Sequence, residues 1–318
     1  MTRLTLSLLA ALVIALPLSL LAGRVWIDPF HPAIANAQVI LAELRLPRGV
    51  LALVVGAGLG GAGAAMQGYL RNPLADPGLF GIAPGAALGA VLALALGLTS
   101  WFALPLAALA GAAAAMALLA LIAGRSAGLA LFTLAGMMLA SLAGALTSLV
   151  ISLSPNPFAL SEIVTWLMGA LTDRGWREVW IAAPPTLLGL ALLHAAGRGL
   201  DALTLGEETA RSLGIQPARL QGAMIAGVGL TVGAGVAVAG IIGFVGLMVP
   251  HLVRGFTDRR PSALIVPSAL AGALLLLVAD ALCRIMPLVT ELRLGIALSL
   301  LGAPFFLALL LRMRRGLS

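Results

Sequence analysis

Ten apolar runs, most of them close to the roughly 20 residues that carry a helix across a bilayer, follow one another through the 318-residue chain. Their limits are 4–23, 48–68, 80–98, 104–123, 129–153, 176–196, 219–238, 241–257, 263–283 and 294–311. In hydrocarbon every backbone N–H and C=O must be satisfied internally, so runs of this length predict helices. With 61% hydrophobic and 10% charged residues, a soluble fold would lack the polar surface to coat itself. No hydrophilic stretch is long enough for a second domain. The expectation is an all-α polytopic membrane protein, residues 1–318 forming one transmembrane domain. Arg3 and the apolar run to Gly23 resemble a signal peptide, but the run is as long as a span and reads as an uncleaved first helix. The run at 241–257 stands apart, with Pro250, His251 and Arg254 in its second half.

Ten spans put both termini on one side. Every basic residue is Arg, and 12 of the 19 fall on the side of the termini against 7 opposite, so the positive-inside bias makes the termini cytoplasmic. The outer minority is large enough to suggest a task. The arginines are scattered singly over many loops, which excludes a nucleic-acid face. A lone Cys283 cannot form an intrachain disulfide or a Cys-rich metal site. Glycine and alanine recur at helical spacing, as at Gly56 and Gly60 or Gly81, Gly85 and Gly89, and such stripes let helices approach closely. The run from Gly56 to Gly63 is echoed from Gly227 to Gly235 in a span of opposite direction, a hint of an inverted repeat.

Three segments are not explained by spanning. Arg71-Asn-Pro-Leu-Ala-Asp-Pro-Gly78 must end a helix and make a structured turn. Leu205 to Gly214 reads as a short amphipathic helix at the inner face, with Gly214 as its C-cap. There Leu205 and Leu213 are expected to face the protein, and Glu207, Glu208 and Arg211 to face water or a partner. Gly243 to Arg254 holds glycine, proline and an ionisable pair inside an apolar run.

With ELRLPR at 43–48, these segments resemble the FecCD-type permeases of vitamin B12, ferric-siderophore and haem importers. MQGYLRNPLADPGLFGI, TWLMGALTDRGWRE, LGEETARSLGI, GIIGFVGLMVPHLVR and LGAPFF carry the likeness collinearly along nearly the whole chain. The resemblance implies ten helices with both ends cytoplasmic in the bacterial inner membrane. It implies a homodimer with the path on its axis, two copies of an ATP-binding-cassette ATPase inside and one periplasmic substrate-binding protein outside. The chain itself would then be no enzyme and need no cofactor or metal, in keeping with its lack of a nucleotide loop.

Residue by residue, the resemblance makes Glu207, Ala210, Arg211 and Gly214 part of a coupling helix that sits in the ATPase. It makes Arg45, Arg48 and Arg284 outer arginines that pair with glutamates of the binding protein, with Asp280 one turn before Arg284 holding its side chain. Reversing Arg45 and Arg48 to glutamate is expected to abolish transport with insertion intact. Asn72 and Leu74 become the inner constriction. A second constriction would fall near Ser126, Gly128, Leu129 and Ala130, where this sequence departs from the small hydroxyl residues of the vitamin B12 permease.

Other classes fit less well. An ion-coupled carrier needs ionisable groups within its spans, and Glu162, Asp280 and Glu291 all lie near outer ends. His31, His194 and His251 are not spaced as metal ligands, and His251 reads as structural or inner-face polar. Large chelates arrive wrapped in organic ligand and need an inert path. Apolar spans suit them without separating siderophore or haem, the first expectation, from cobalamin.

Overall fold

The computed structural model describes residues 3–23, 25–27, 36–98, 100–124, 128–154 and 156–315. All regular structure among them is helical. In chain order the helices are α1 (Arg3–Leu21), α2 (Ala37–Tyr69), α3 (Ile82–Ala95), α4 (Ala103–Ala123), α5 (Leu129–Leu153), α6 (Pro157–Leu167), α7 (Trp176–Ala195), α8 (Gly197–Leu203), α9 (Glu207–Ser212), α10 (Pro217–Ala239), α11 (Val245–Arg254), α12 (Pro261–Ile285) and α13 (Leu294–Arg315). Helix α2 opens with a π-helical stretch, Ile40–Arg45, and a 3₁₀ turn, Pro77–Phe80, precedes α3.

Among the described residues eight helices are long and apolar enough to cross a membrane: α1, α2, α4, α5, α7, α10, α12 and α13. Two of the ten expected spans are shorter. The run at 80–98 is the 3₁₀ turn followed by a 14-residue helix. The run at 241–257 is helical only over the 10 residues of α11, because Gly240 takes a left-handed φ of 71° and Phe244 one of 66°. Two helices were not expected. Asn156 caps α6 with its side chain, and Pro157 starts it, yet its 11 residues are too few to span. Helix α8 continues α7 after a break at Ala196.

The core is built on α2 and α10, the two helices of the glycine echo and the most deeply buried of the eight. Helix α2 packs along α12, α7, α10 and α11; α3 packs on α4 and α5; α1 lies outside α12. Small residues make these crossings possible. A methyl group built on Gly56 would overlap the Gly272 carbonyl of α12, and one on Gly63 the backbone of Gly246 in α11. Large apolar side chains such as Val13, Leu121 and Trp180 point outward instead, as lipid-facing helices require.

Candidate functional site

The residues singled out in the sequence gather at the two ends of α2. Arg48 and Tyr69 lie 21 residues apart on this helix, about 30 Å at 1.5 Å per residue.

At the Arg48 end, arginines and carboxylates from three distant parts of the chain meet. Arg48 donates through Nε and Nη2 to Asp280 at 2.8–3.1 Å, and through Nη1 and Nη2 to Glu291 at 3.2 and 2.5 Å. Asp280, buried in α12, also lies 3.2 Å from Arg284 Nε, the i,i+4 pairing expected. Arg284 Nη2 donates to the Ser19 carbonyl at 3.0 Å. Thr172 adds a hydrogen bond to Glu291 at 3.1 Å. Burial by itself would raise the Glu291 carboxyl, but the Arg48 guanidinium and Thr172 hold it below the usual carboxylate range. Arg45 donates to the carbonyls of Leu20, Leu21 and Val25 and so caps the C-terminus of α1. Beside these groups is a cavity of about 520 Å³, whose charged lining is Arg45, Arg48, Arg174 and Arg284 with Asp173 and Glu291. Four arginines against two carboxylates leave it net cationic, and it can receive a further carboxylate. Arg48 is thus already paired. Reversing it to glutamate would set three carboxylates together, so loss of transport in such a variant would report folding as well as docking.

At the other end, α2 closes with a Schellman motif: Arg71 N–H donates to Gly68 and Asn72 N–H to Gln67. Arg71 occupies the left-handed position, φ 51°, where glycine is usual. The loop that follows folds by two side-chain turns, Leu74 N–H to Asn72 Oδ1 at 2.9 Å and Gly78 N–H to Asp76 Oδ1 at 2.7 Å. Burial pushes the Asp76 carboxyl up although the backbone of Gly78 and Leu247 donates to it. Asn72 is exposed. Leu74 lines an apolar cavity of about 440 Å³ between α2, α3, α10 and residues 240–247, reached also by Phe306. Leu129 lies near the coupling segment, Gly128 is exposed, and Ser126 lies outside the described residues.

The segment expected to couple to the ATPase folds as α9. Gly206 precedes it with φ 105°, and Gly214 closes it in a second Schellman motif, its N–H on Arg211 and that of Ile215 on Ala210. Glu207 and Arg211 are i,i+4 partners at 4.0 Å on the exposed side. The expectation for the leucines is corrected. Leu205 and Leu213 are 64% and 61% exposed, and Ala210 is the residue that turns inward. Six residues are fewer than two turns, so one side chain suffices to seat the helix, and the flanking leucines stand beside the charges.

Arg254 and Gln67 join α11 to α2, and His251 faces α13. Arg254 donates to Gln67 Oε1 at 2.9 Å, and Gln67 Nε2 to the carbonyls of Gly246 and Leu247 at 3.3 and 3.2 Å. His251 sets its ring edge against Phe305. Among the described residues no group of three metal-ligating side chains occurs.

An all-helical membrane bundle with a cationic recess at one end and a short charged helix at the other has the form of a transport permease. The FecCD transport family matches residues 10–312, and the chain belongs to it. The vitamin B12 import system permease protein BtuC of Escherichia coli O9:H4 is 39% identical over 320 aligned positions, covering 98% of this chain and 96% of that protein. The BtuC of Salmonella paratyphi A is 38% identical over the same extent. A solved structure described as an inward-facing conformation of a metal-chelate type ABC transporter superposes with a TM-score of 0.90 at 33% identity, covering 98% of this chain and 99% of that one. The protein is therefore an integral inner-membrane permease of an ABC importer, a transport subunit and not an enzyme, and it works with ATPase and binding-protein partners.

Proposed function

We propose that the chain, as a homodimer with two ATPase subunits and one periplasmic binding protein, imports a preassembled metal chelate by alternating access. It acts as one transmembrane domain, with both termini cytoplasmic. The observation that carries this reading is the joint occurrence, at opposite ends of α2, of the cationic recess and of the loop beside α9. The recess at Arg45, Arg48 and Arg284 takes carboxylates of the binding protein. Helix α9 offers the ATPase Glu207 and Arg211, flanked by the exposed Leu205 and Leu213, with Ala210 and Gly214 fixing its seat and its end. Asn72 and Leu74 narrow the path, and the apolar cavity reached by Leu74 forms part of its wall.

Cobalamin is the cargo favoured by the two BtuC relatives. A ferric siderophore or haem is the second reading, favoured by the likeness to a metal-chelate type transporter. Proteoliposomes holding the chain with its ATPase and binding protein are offered cobalamin, a ferric siderophore and haem in parallel. The expected result is accumulation of one compound that needs ATP and stops with a non-hydrolysable analogue. Uptake indifferent to ATP and driven by a proton or sodium gradient would overturn the reading.

A further inference from the structure

Three aromatic rings connect the coupling segment to the loop that narrows the path. Tyr69 is the last residue of α2, and Phe80 ends the 3₁₀ turn, so the two flank the loop 70–78. Both pack on Phe132 of α5. The Tyr69 and Phe132 centroids are 5.2 Å apart, edge to face, and those of Phe80 and Phe132 are 5.7 Å apart, stacked. All three rings are buried. On its other side Tyr69 lines a cavity of about 30 Å³ together with Glu207, Ala210 and Arg211 of α9. The space is too small for a ligand, so Tyr69 and α9 face one another with no guest between them. Between the two flanks, the turns at Asn72 and Asp76 hold the loop as a short stiff unit. Close-packed side chains transmit displacement instead of absorbing it.

We propose that Tyr69, Phe132 and Phe80 form an aromatic clasp that makes the loop 70–78 follow displacements of α9, with Tyr69 the positioning residue through which the partner's ATP cycle reaches Asn72 and Leu74. The inference rests on reading α9 as the ATPase contact. It adds that the signal passes through side chains at the end of α2. Neither the exposed charges of α9 nor the backbone that joins α9 to α10 is then sufficient.

The test uses the full complex in proteoliposomes, with Cys283→Ser and a reporter cysteine, Leu74→Cys. Fluorescein maleimide labelling of the reporter is timed without nucleotide and after trapping with ATP and vanadate. With Tyr69 intact, the two rates should differ by at least about fivefold, the low end of coupling between distant sites. Tyr69→Leu keeps an apolar side chain and removes the ring. It should bring the two rates within about twofold of each other while ATP hydrolysis continues, since a lost coupling free energy leaves each site's own activity in place. Tyr69→Phe, which keeps the ring, should retain the response, and Phe80→Leu should lose it from the other side of the clasp. A full nucleotide response in Tyr69→Leu would overturn the proposal. So would a fall in hydrolysis and labelling response in equal proportion, which marks a merely structural residue. Failure of the parent chain to bind the ATPase would overturn the importer reading, and the clasp with it.

Discussion

Arg48 spreads its guanidinium over two carboxylates whose other neighbours are Arg284 and Thr172, and Asp280 is almost wholly withdrawn from solvent. Breaking such a site from one side costs more than the pair is worth, because the buried carboxylates remain. Arg48→Met should therefore lower stability in detergent by about 3–5 kcal/mol, read as a fall in the SDS unfolding midpoint. Adding Asp280→Leu with Glu291→Gln should restore most of it; an unchanged midpoint in the single variant would contradict the network. Glu291 gives the site its pH dependence. Its carboxyl is held below the usual range in the fold, so its contribution is present in full above the unfolded value of about 4.3 and is lost as pH falls through the lower folded value. A thermal melt series in acid should show this loss in the parent and a flatter limb in Glu291→Gln. At this scale the sequence was partly legible. The spacing of Asp280 and Arg284 gave one ion pair, since four residues on a helix are neighbours. The Arg48 bond to Asp280 joins residues 232 positions apart, and no local pattern encodes it.

Helix α11 shows how an element can look wrong in sequence and be right in the fold. Pro250 sits inside it and has no N–H to give the carbonyl of Gly246, four residues back. Gln67 of α2 donates to that carbonyl and to the next, and Arg254, one turn beyond the proline, holds the amide in place. The proline marked the segment as irregular, but the residue that answers it lies in another helix and left no signal near it. The long apolar helices were legible because their length and composition set them by themselves. The starts of α3 and α11, set by Gly81 and by Phe244, were not, because apolar composition does not reveal a left-handed residue. For α6 the signal existed in Asn156 and Pro157, a cap followed by a helix-starting proline. Capping also crosses between elements. Asp201 of α8 accepts from the backbone N–H of Ser262 at 2.9 Å and from its hydroxyl at 2.5 Å, so it caps α12 from outside. Asp201→Ala should lower stability by about 1 kcal/mol, as loss of an N-cap does. Asp201→Asn, which keeps an acceptor, should recover part of it in the same melt, and equal melts for all three chains would remove the cap from the account.

The proposed path bears on how many chains are needed. The apolar cavity beside Leu74 is about 440 Å³, within the roughly 300–1,000 Å³ that receives a drug-sized ligand. A corrinoid or a siderophore chelate needs more room than this one cavity offers, which favours the proposed path between two chains. Phe306 of α13 reaches the cavity, so the helix that borders it here carries a large ring that a path within one chain would have to displace. A shared path between two chains avoids the difficulty. In the proposed homodimer each copy would contribute one apolar wall, and each copy's loop 70–78 half of the constriction. The expected species in lipid nanodiscs is then a pair of 32.2 kDa chains, and native mass spectrometry should report it without the ATPase present. A tandem fusion of two copies gives the sharper test. With Leu74→Trp in one half only, a path on the shared axis is narrowed for both, and uptake should fall well below half of the parent fusion's rate at equal ATP hydrolysis. Two independent paths would keep half. A chain that is monomeric in nanodiscs, together with a fusion retaining half its uptake, would place the path within a single chain and make the dimer a matter of packing alone.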